Sequence, residues 1–208
     1  MSKDSFIAAL EKENVSELMI FAKKELTSHF YTFKSSTGNN IFHVLAKKGT
    51  SKQFEELIKL NSSAKTELFS SNHKKQTPLH CAAQAGKIKI AQFLMNYGAY
   101  ISCADSEGNL PLHLAAQSGH HGMVRQICFE GSLRNSENAR SYFPSMLLES
   151  KFDVHAQNKL NQSAYRLARI HQKNKVMKVL SLYEGHDNFE NVRQSIANGL
   201  VRKTKRLL

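Results

Sequence analysis

The sequence contains few cysteines and no long apolar run, and both shortages exclude classes of protein. The three cysteines, Cys81, Cys103 and Cys128, are odd in number and form no CxxC pair, so neither a disulfide framework nor a zinc knuckle is indicated. No stretch approaches the roughly 20 apolar residues of a membrane-spanning helix. The apolar run before Glu11 is too short for a secretory signal. These features predict a cytoplasmic protein in a reducing compartment.

The sequence also lacks the motifs that carry catalysis. It has no glycine-rich phosphate loop, no HExxH or G-x-S-x-G motif and no paired acidic motif. Cys81 directly follows His80, and adjacent helical residues do not share a face, so no nucleophile–base pair is indicated. Cys128 lies in an apolar stripe, where we expect an inert thiol, and the pair His120–His121 is weak ground for a metal site. We therefore predict a non-enzyme with no cofactor and no metal.

Composition and charge fit a soluble globular chain with one unusually basic end. The 208 residues are 41% apolar and 22% charged, which excludes collagen-like, low-complexity and wholly disordered chains. The net charge is +12, of which residues 151–208 carry +8, whereas residues 101–150 carry −2. Such an imbalance bears on partners and solubility, since it does not determine a fold.

A repeat with a period near 33 residues dominates the middle of the chain. QTPLHCAAQAGKIKIAQFLMNYGAYISC is followed by NLPLHLAAQSGHHGMVRQICFEGS, and His80 and His113 are 33 residues apart. A weaker copy places His43 37 residues before His80, and another places Arg166 53 residues after His113. The segment AALEKENVSELMIFAKK reads as a frayed opening copy. Regular periods of this length indicate an array of stacked units.

Each unit reads as two helices joined by a short turn. Thr77 and Pro78 form a helix start, because a hydroxyl caps free N–H groups and proline needs no N–H partner there. Gly86 ends the first helix, and Gly98 ends the second as a left-handed cap. The second helix is predicted to turn these residues toward the core: Ile88, Ile90, Ala91, Phe93 and Leu94. No unit buries its apolar face alone, so neighbours must stack.

These residues resemble the ankyrin repeat, with T-P-L-H at Thr77–His80 and a near copy at Leu110–His113. The resemblance implies an all-α, ankyrin-like solenoid of helix-turn-helix repeats joined by β-hairpin-like loops. It also implies that the motif histidines form hydrogen bonds within and between repeats. The chain departs from the pattern in several places: Leu110 replaces the capping threonine and Lys75 the hairpin glycine. The last repeat has Ser163–Arg166 (SAYR) instead of TPLH, and Gln172 replaces its inter-helix glycine.

The spacing predicts one repeat domain and a basic tail. The domain spans 1–185, with an opening cap at 5–35 and repeats at 36–71, 72–104, 105–156 and 157–185. The tail at 186–208 is expected to be a capping helix, with an anionic-membrane helix and a phosphate-binding or localisation patch as alternatives.

The third repeat is longer than its neighbours because of an insertion near 132–151. Both CFEG and LLESK are candidate ends of its second helix. Within the insertion, Arg134–Arg140 is polar and loop-like, whereas Tyr142 and Phe143 belong to an apolar cluster. The insertion either packs on its own repeat or contacts a partner, because long loops in compact domains are often functional.

The resemblance makes protein recognition the favoured function, through the hairpin tips and the exposed side of the first helices. Lys74 and Lys159 flank Glu107 along this strip, a pattern that suits an acidic segment of a partner. We expect a monomer, and the style of the chain is similar to ankyrin-like effectors that intracellular bacteria secrete into host cells. The alternative is binding of nucleic acid or an anionic membrane through the basic C-terminal quarter. The candidate partner-binding residues are His73, Lys74, Gln76, Gln84, Ser106, Glu107, Asn109, Gln117, Ser118, Lys159, Leu160, Gln162, His171, Tyr142 and Phe143.

Overall fold

The computed structural model describes residues 3–24, 30–60, 62–135 and 152–184. These residues form a succession of helix pairs joined by loops, and no strand occurs among them apart from one isolated bridge between Gln157 and Ser163. The helices are α1 (Lys3–Glu11), α2 (Val15–Lys24), α3 (Ile41–Lys48), α4 (Ser51–Leu60), α5 (Pro78–Ala85), α6 (Ile88–Asn96), α7 (Pro111–Ser118), α8 (His121–Asn135), α9 (Ala164–Ile170) and α10 (Asn174–Glu184). Two 3₁₀ helices, Phe30–Thr32 and Ser62–Phe69, lie between them.

The first helices of successive pairs stack directly on one another, in the order α3, α5, α7 and α9. Their contact faces are built from alanines that are fully buried, including Ala46, Ala83 and Ala116. Because alanine carries only a methyl group, neighbouring helices approach closely and present their polar sides to the same surface. The all-helical solenoid expected from the sequence is confirmed.

Proline and glycine set the ends of the short helices. Pro78 and Pro111 occupy the first turn of α5 and α7, where the missing N–H has no partner to lose. Gly86 and Gly119 follow these helices with φ of 70° and 84°, a left-handed conformation that favours glycine. Thr77 is the N-cap residue of α5, as predicted, and forms a capping box with His80. Its hydroxyl also lies 2.9 Å from Nδ1 of the His80 ring.

The core continues from the first pair to the last. At the opening end, the rings of Phe6 and Phe21 lie 4.6 Å apart and Phe30 packs edge-on to Phe6. In α6 the predicted core face is correct for Ile90, Ala91 and Leu94, which are buried, and Phe93 is half-buried. The prediction was wrong for Ile88, whose side chain is 37% exposed because the first turn of α6 projects beyond the core.

Helix α8 continues beyond CFEG, one of the two predicted ends. It runs through Gly131 to Asn135, and LLESK, the other predicted end, lies outside the described residues. Arg134, predicted to lie in a polar loop, is helical and only 6% exposed. Its guanidinium donates to the carbonyls of Met95 and Ala99 and pairs with Glu130, and these bonds hold it inside.

Candidate protein-binding surface

Three histidines at the third position of the first helices tie each repeat to the next. The Nδ1 of His80 accepts the backbone N–H of Thr77 at 3.1 Å, and that of His113 accepts the N–H of Leu110 at 3.1 Å. The same arrangement joins His43 to the N–H of Asn40 at 3.3 Å. Since Nδ1 accepts in His80 and His113, the proton of each of these neutral rings lies on Nε2. In His43, Nδ1 also lies 2.6 Å from the Oδ1 of Asn40, an atom that can only accept.

The Nε2 atoms of these rings then donate across the repeat boundary. His43 donates to the carbonyl of Gln76 at 2.9 Å and His80 to that of Asn109 at 3.1 Å. His113 donates to the carbonyl of Gln162 at 3.1 Å and also to that of Ala156. The bonding within and between repeats that the family resemblance implied is therefore confirmed. Leu110 keeps this arrangement despite lacking a hydroxyl, because the bond uses its backbone N–H.

Burial keeps the motif histidines neutral and unsuited to proton transfer. Removal from water lowers the pKa of His43 to about 4. Burial likewise lowers the pKa of His80 and of His113. A general acid or base also needs access to a substrate, and the rings of His43, His80 and His113 are buried.

The thiols are similarly inactivated by burial. Burial raises the pKa of Cys81 to about 12, and it raises the pKa of the fully buried Cys128 further still. Cys103 is half-buried and its pKa is also raised, again by burial. Because the thiolate is the reactive form, none of the three is an activated nucleophile.

One side-chain oxygen organises each hairpin loop. The Oδ1 of Asp105 accepts the N–H groups of Glu107 and Asn109 at 2.9 and 2.8 Å. The Oδ1 of Asn72 accepts the N–H groups of Lys74 and Gln76. The Oδ1 of Asn158 likewise accepts the N–H groups of Leu160 and Gln162. These turns fix the loop backbone without strands.

The loops are joined to one another through their backbones. The N–H of His73 donates to the carbonyl of Thr37 at 3.1 Å, and that of Ser106 to Lys74 at 2.8 Å. The N–H of Lys159 donates to the carbonyl of Glu107 at 3.0 Å. Four successive loops therefore form one hydrogen-bonded row, which we call the tip row (residues 36–39, 73–76, 106–109 and 159–162).

A left-handed residue shapes the tip of every loop. Gly38 and Gly108 have φ of 80° and 79°, and Lys75 and Asn161 occupy the equivalent places with φ of 57° and 54°. A side chain at Gly108 would bring its Cβ to 2.8 Å from the backbone N of Lys159. At Gly108 both the close approach of Lys159 and the backbone conformation favour glycine. At Lys75 the left-handed backbone conformation alone favours glycine.

The structure exposes most of the predicted tip residues. His73, Lys74, Ser106, Glu107 and Lys159 are exposed, and Leu160 is exposed to 70%. Gln76 and Gln162 are half-buried. The prediction that Asn109 contacts a partner is wrong, because this residue is only 6% exposed. Its side-chain amide is hydrogen-bonded to Asn158 and to the carboxylates of Asp105 and Glu107.

The first helices add a second edge to this surface. Gln84, Gln117 and His171 are exposed, and Ser118 is half-buried. The amide of Gln117 lies 3.4 Å from Nε2 of His171, so these side chains are neighbours across a repeat boundary. Tyr142 and Phe143 lie outside the described residues, as does the tail at 186–208.

Sequence reasoning missed three features that position this surface. The first is the loop-organising residue, which stands four places before Gln76, Asn109 and Gln162 in turn, a regularity that the alignment of repeats contains. The second is the buried pair of Arg134 with Glu130, whose only signal is its spacing of four. The third is a pair of hydrogen bonds between the side chain of Asn135 and the backbone of Phe152, which we call the clamp. The sequence carries no signal for it.

The clamp closes the base of the insertion. The side-chain amide of Asn135 donates to the carbonyl of Phe152 at 2.7 Å and accepts the N–H of Phe152 at 2.9 Å. Phe152 also packs on Gly131, where a Cβ would collide with its ring. The chain therefore leaves α8 and returns to it at one point.

Two further observations bear on the class of site. In the described part of the chain, no group of three or more histidine, cysteine, aspartate or glutamate side chains is placed to hold a metal ion. No helix within the described ranges is both long and apolar enough to cross a membrane.

Comparison with known proteins identifies the repeat. The family profile described as ankyrin repeats, in three copies, matches residues 6–105 and 42–138, which together span more than half of the chain. The chain is 30% identical over 89 residues to the Notch-regulated ankyrin repeat-containing protein A of Danio rerio, covering 43% of this chain and 80% of that protein.

Two larger proteins share shorter segments. The ARF GTPase-activating protein GIT2 of Mus musculus is 37% identical over 73 residues, which is 35% of this chain and 10% of that protein. Rabankyrin-5 of Homo sapiens is 42% identical over 52 residues, which is 25% of this chain and 4% of that protein. The chain thus spans a tenth or less of the length of these two relatives.

Proposed function

Because this chain belongs to the ankyrin-repeat family, a family of protein–protein interaction modules, we propose that it is a non-enzymatic adaptor that binds a protein through the tip row and the exposed side of α5, α7 and α9. The observation that carries this proposal is the hydrogen-bonded row itself. Its backbone is held at every step, while His73, Lys74, Glu107 and Lys159 remain exposed. A surface that is rigid before binding loses little conformational entropy on association.

The charges of the tip row favour an acidic partner segment. Lys74 and Lys159 stand on either side of Glu107, one loop apart on each side, so two cations flank one anion along the row. A partner with carboxylates spaced to meet the two lysines gains attraction in one register and repulsion from Glu107 in others. The exposed side chain of Leu160 extends the row with an apolar contact.

Affinity capture at high salt tests this surface. The variant carries Lys74→Glu, Lys159→Glu, Gln84→Ala and Gln117→Ala, and we expect it to lose a protein that the unaltered chain retains. The control carries Lys52→Glu and Lys89→Glu, two exposed lysines on α4 and α6, together with Gln92→Ala and Gln126→Ala. Equal retention by the two variants would show that the partner binds elsewhere.

The biological setting stays a prediction from the style of the chain. Secretion into a host cell by an intracellular bacterium would place the partner among host proteins. Expression of the chain with a reporter in such a bacterium, followed by detection in host cytoplasm, would test it.

A further inference from the structure

The last repeat carries a surface that the proposed function does not use. In each inner repeat, one side of the first helix contacts the next repeat. His43, His80 and His113 lie on that side with exposures of 1% or less, and the alanines three residues further on are fully buried. In α9 the equivalent positions are Arg166 and Arg169, and both side chains are exposed.

The second helix of the last repeat continues this change. The amide of Gln92 in α6 donates to Gln126 of the following repeat at 3.0 Å, which shows that its position faces forward along the array. The equivalent residue in α10 is Lys178, which is exposed. We call Arg166, Arg169 and Lys178 the end face.

The end face is charged with one sign only. Residues 164–184 contain five cationic side chains and one acidic residue, Glu184. None of the ion pairs within the described residues involves Arg166, Arg169 or Lys178. The Arg166 guanidinium has one weak bond, to the carbonyl of Asn161 at 3.3 Å, and it keeps further N–H donors for a ligand.

The opposite end of the array shows what solubility alone requires. The exposed positions of α1 and its following turn include Lys3, Asp4, Glu11 and Lys12, so cations and anions alternate there. A terminal repeat needs a polar outer face to remain soluble, and mixed charges provide it. Solubility therefore accounts for a polar end face and does not account for a purely cationic one.

We infer that the end face binds an acidic segment of a partner protein that also carries apolar side chains. Two arginines spaced by three on α9 present planar donor forks, which match carboxylates in bidentate geometry. Leu182 lies four residues after Lys178 and is 55% exposed. An aliphatic group beside these cations contributes to a protein interface and adds nothing to contact with a nucleic-acid phosphate chain, which favours a peptide over a nucleic acid.

Fluorescence anisotropy with the full chain tests this inference. The probe is a labelled 12-residue peptide of glutamates with a leucine at every third position. Three variants each remove two cations: Arg166→Gln with Arg169→Gln, Lys74→Gln with Lys159→Gln, and Lys12→Gln with Lys24→Gln. We expect the first to bind the peptide about tenfold more weakly and the last to bind like the unaltered chain. Arg166→Lys with Arg169→Lys keeps the charge, and it is expected to lose part of the affinity because lysine lacks the fork.

Other outcomes overturn the inference. An equal loss in all three charge variants would mean that net charge alone attracts the peptide. Undiminished binding of a peptide with serines in place of the leucines would remove the apolar contact. Tighter, Arg166-dependent binding of a single-stranded oligonucleotide or of phosphatidylserine vesicles would assign the end face to phosphate groups. The Lys74 and Lys159 variant separates this surface from the tip row, so the two proposals fail independently.

Discussion

In three successive repeats a single histidine performs two structural tasks. Its Nδ1 accepts an N–H at the start of its own helix, and its Nε2 donates to a carbonyl of the next repeat. Both bonds require the neutral ring with its proton on Nε2. Protonation of Nδ1 would remove the acceptor, so the state of the ring couples local helix geometry to stacking.

Stability is therefore expected to fall as the solution is acidified from pH 7.5 to 5. The folded pKa of His43 is about 4, below its unfolded value, so the unfolded chain binds protons first. The stabilisation is complete above the unfolded value near 6.5 and is lost progressively as the pH falls from there toward 4. His43 alone contributes a loss of about 2 kcal/mol at pH 5. Urea unfolding at several pH values measures this loss in the free energy of unfolding.

The matched comparison isolates that ring. His43→Gln keeps a side-chain donor for the carbonyl of Gln76 and does not titrate, so its free energy of unfolding should vary less with pH. His121→Gln alters an exposed histidine and should leave the pH dependence intact. A His43→Gln variant as acid-sensitive as the unaltered chain would contradict this role.

Lys75 holds a backbone conformation that suits glycine better. Its φ of 57° matches the glycine positions of the other loops, and a left-handed residue with a Cβ costs about 1–2 kcal/mol. Lys75→Gly removes that cost and loses part of the gain to the entropy of the unfolded chain. We expect a net stabilisation of about 0.5 kcal/mol in urea unfolding, whereas Lys74→Gly, which has no such strain to relieve, should destabilise the protein.

At the scale of elements, α8 differs from the other second helices because its last turn is anchored to the preceding repeat. The guanidinium of Arg134 reaches the carbonyls of Met95, in the last turn of α6, and of Ala99. The carbonyl of Met95 also accepts the N–H of Gly98 at 3.0 Å, and a cation at the C-terminal end of a helix is favourable. The side chain of Arg134 thus joins the last turn of α8 to the C-terminal end of α6.

Removing Arg134 alone should be more damaging than removing its whole ion pair. Arg134→Met leaves the buried carboxylate of Glu130 without its cation, and we expect a loss of about 3 kcal/mol. Adding Glu130→Gln should restore part of that loss, because no charge is then buried alone. Thermal unfolding of the two single variants and the double variant measures the coupling, and additive losses would contradict a direct interaction.

The clamp at the base of the insertion predicts that residues 136–151 are dispensable for stability. Asn135 already bonds Phe152 on both sides, so a short glycine–serine link in place of 136–151 should leave the thermal midpoint within a few degrees. Asn135→Ala breaks both bonds and should lower the free energy of unfolding by about 1–3 kcal/mol. A large destabilisation by the short link would show that the insertion packs on the array.

At the scale of the whole molecule, the sequence predicted the architecture better than its individual surfaces. The spacing of His80 and His113, with proline before and glycine after each helix, predicted stacked helix pairs because those residues act locally. The burial of Asn109 and Arg134 was not predictable in the same way, since it depends on carbonyls and amides brought close by the fold. The exposure of Ile88 has the same origin, because a helical pattern does not show where the core stops.

The tip row depends on the whole array. Each loop contributes only one segment of the tip row. The regular spacing of these segments comes from the stacking of the helices beneath them. The contacts expected from Lys74, Glu107 and Lys159 therefore belong to one partner surface, spread over three repeats.

Site-specific photocrosslinking along the array is the measurement that tests this claim most directly. A photoreactive residue is placed in turn at Lys74, Glu107 and Lys159, and in control chains at Lys52 and Lys89 on α4 and α6. The account predicts that one and the same protein is captured from all three tip positions and from neither control. Capture of that protein from Lys52 or Lys89, with none from the tips, would contradict it.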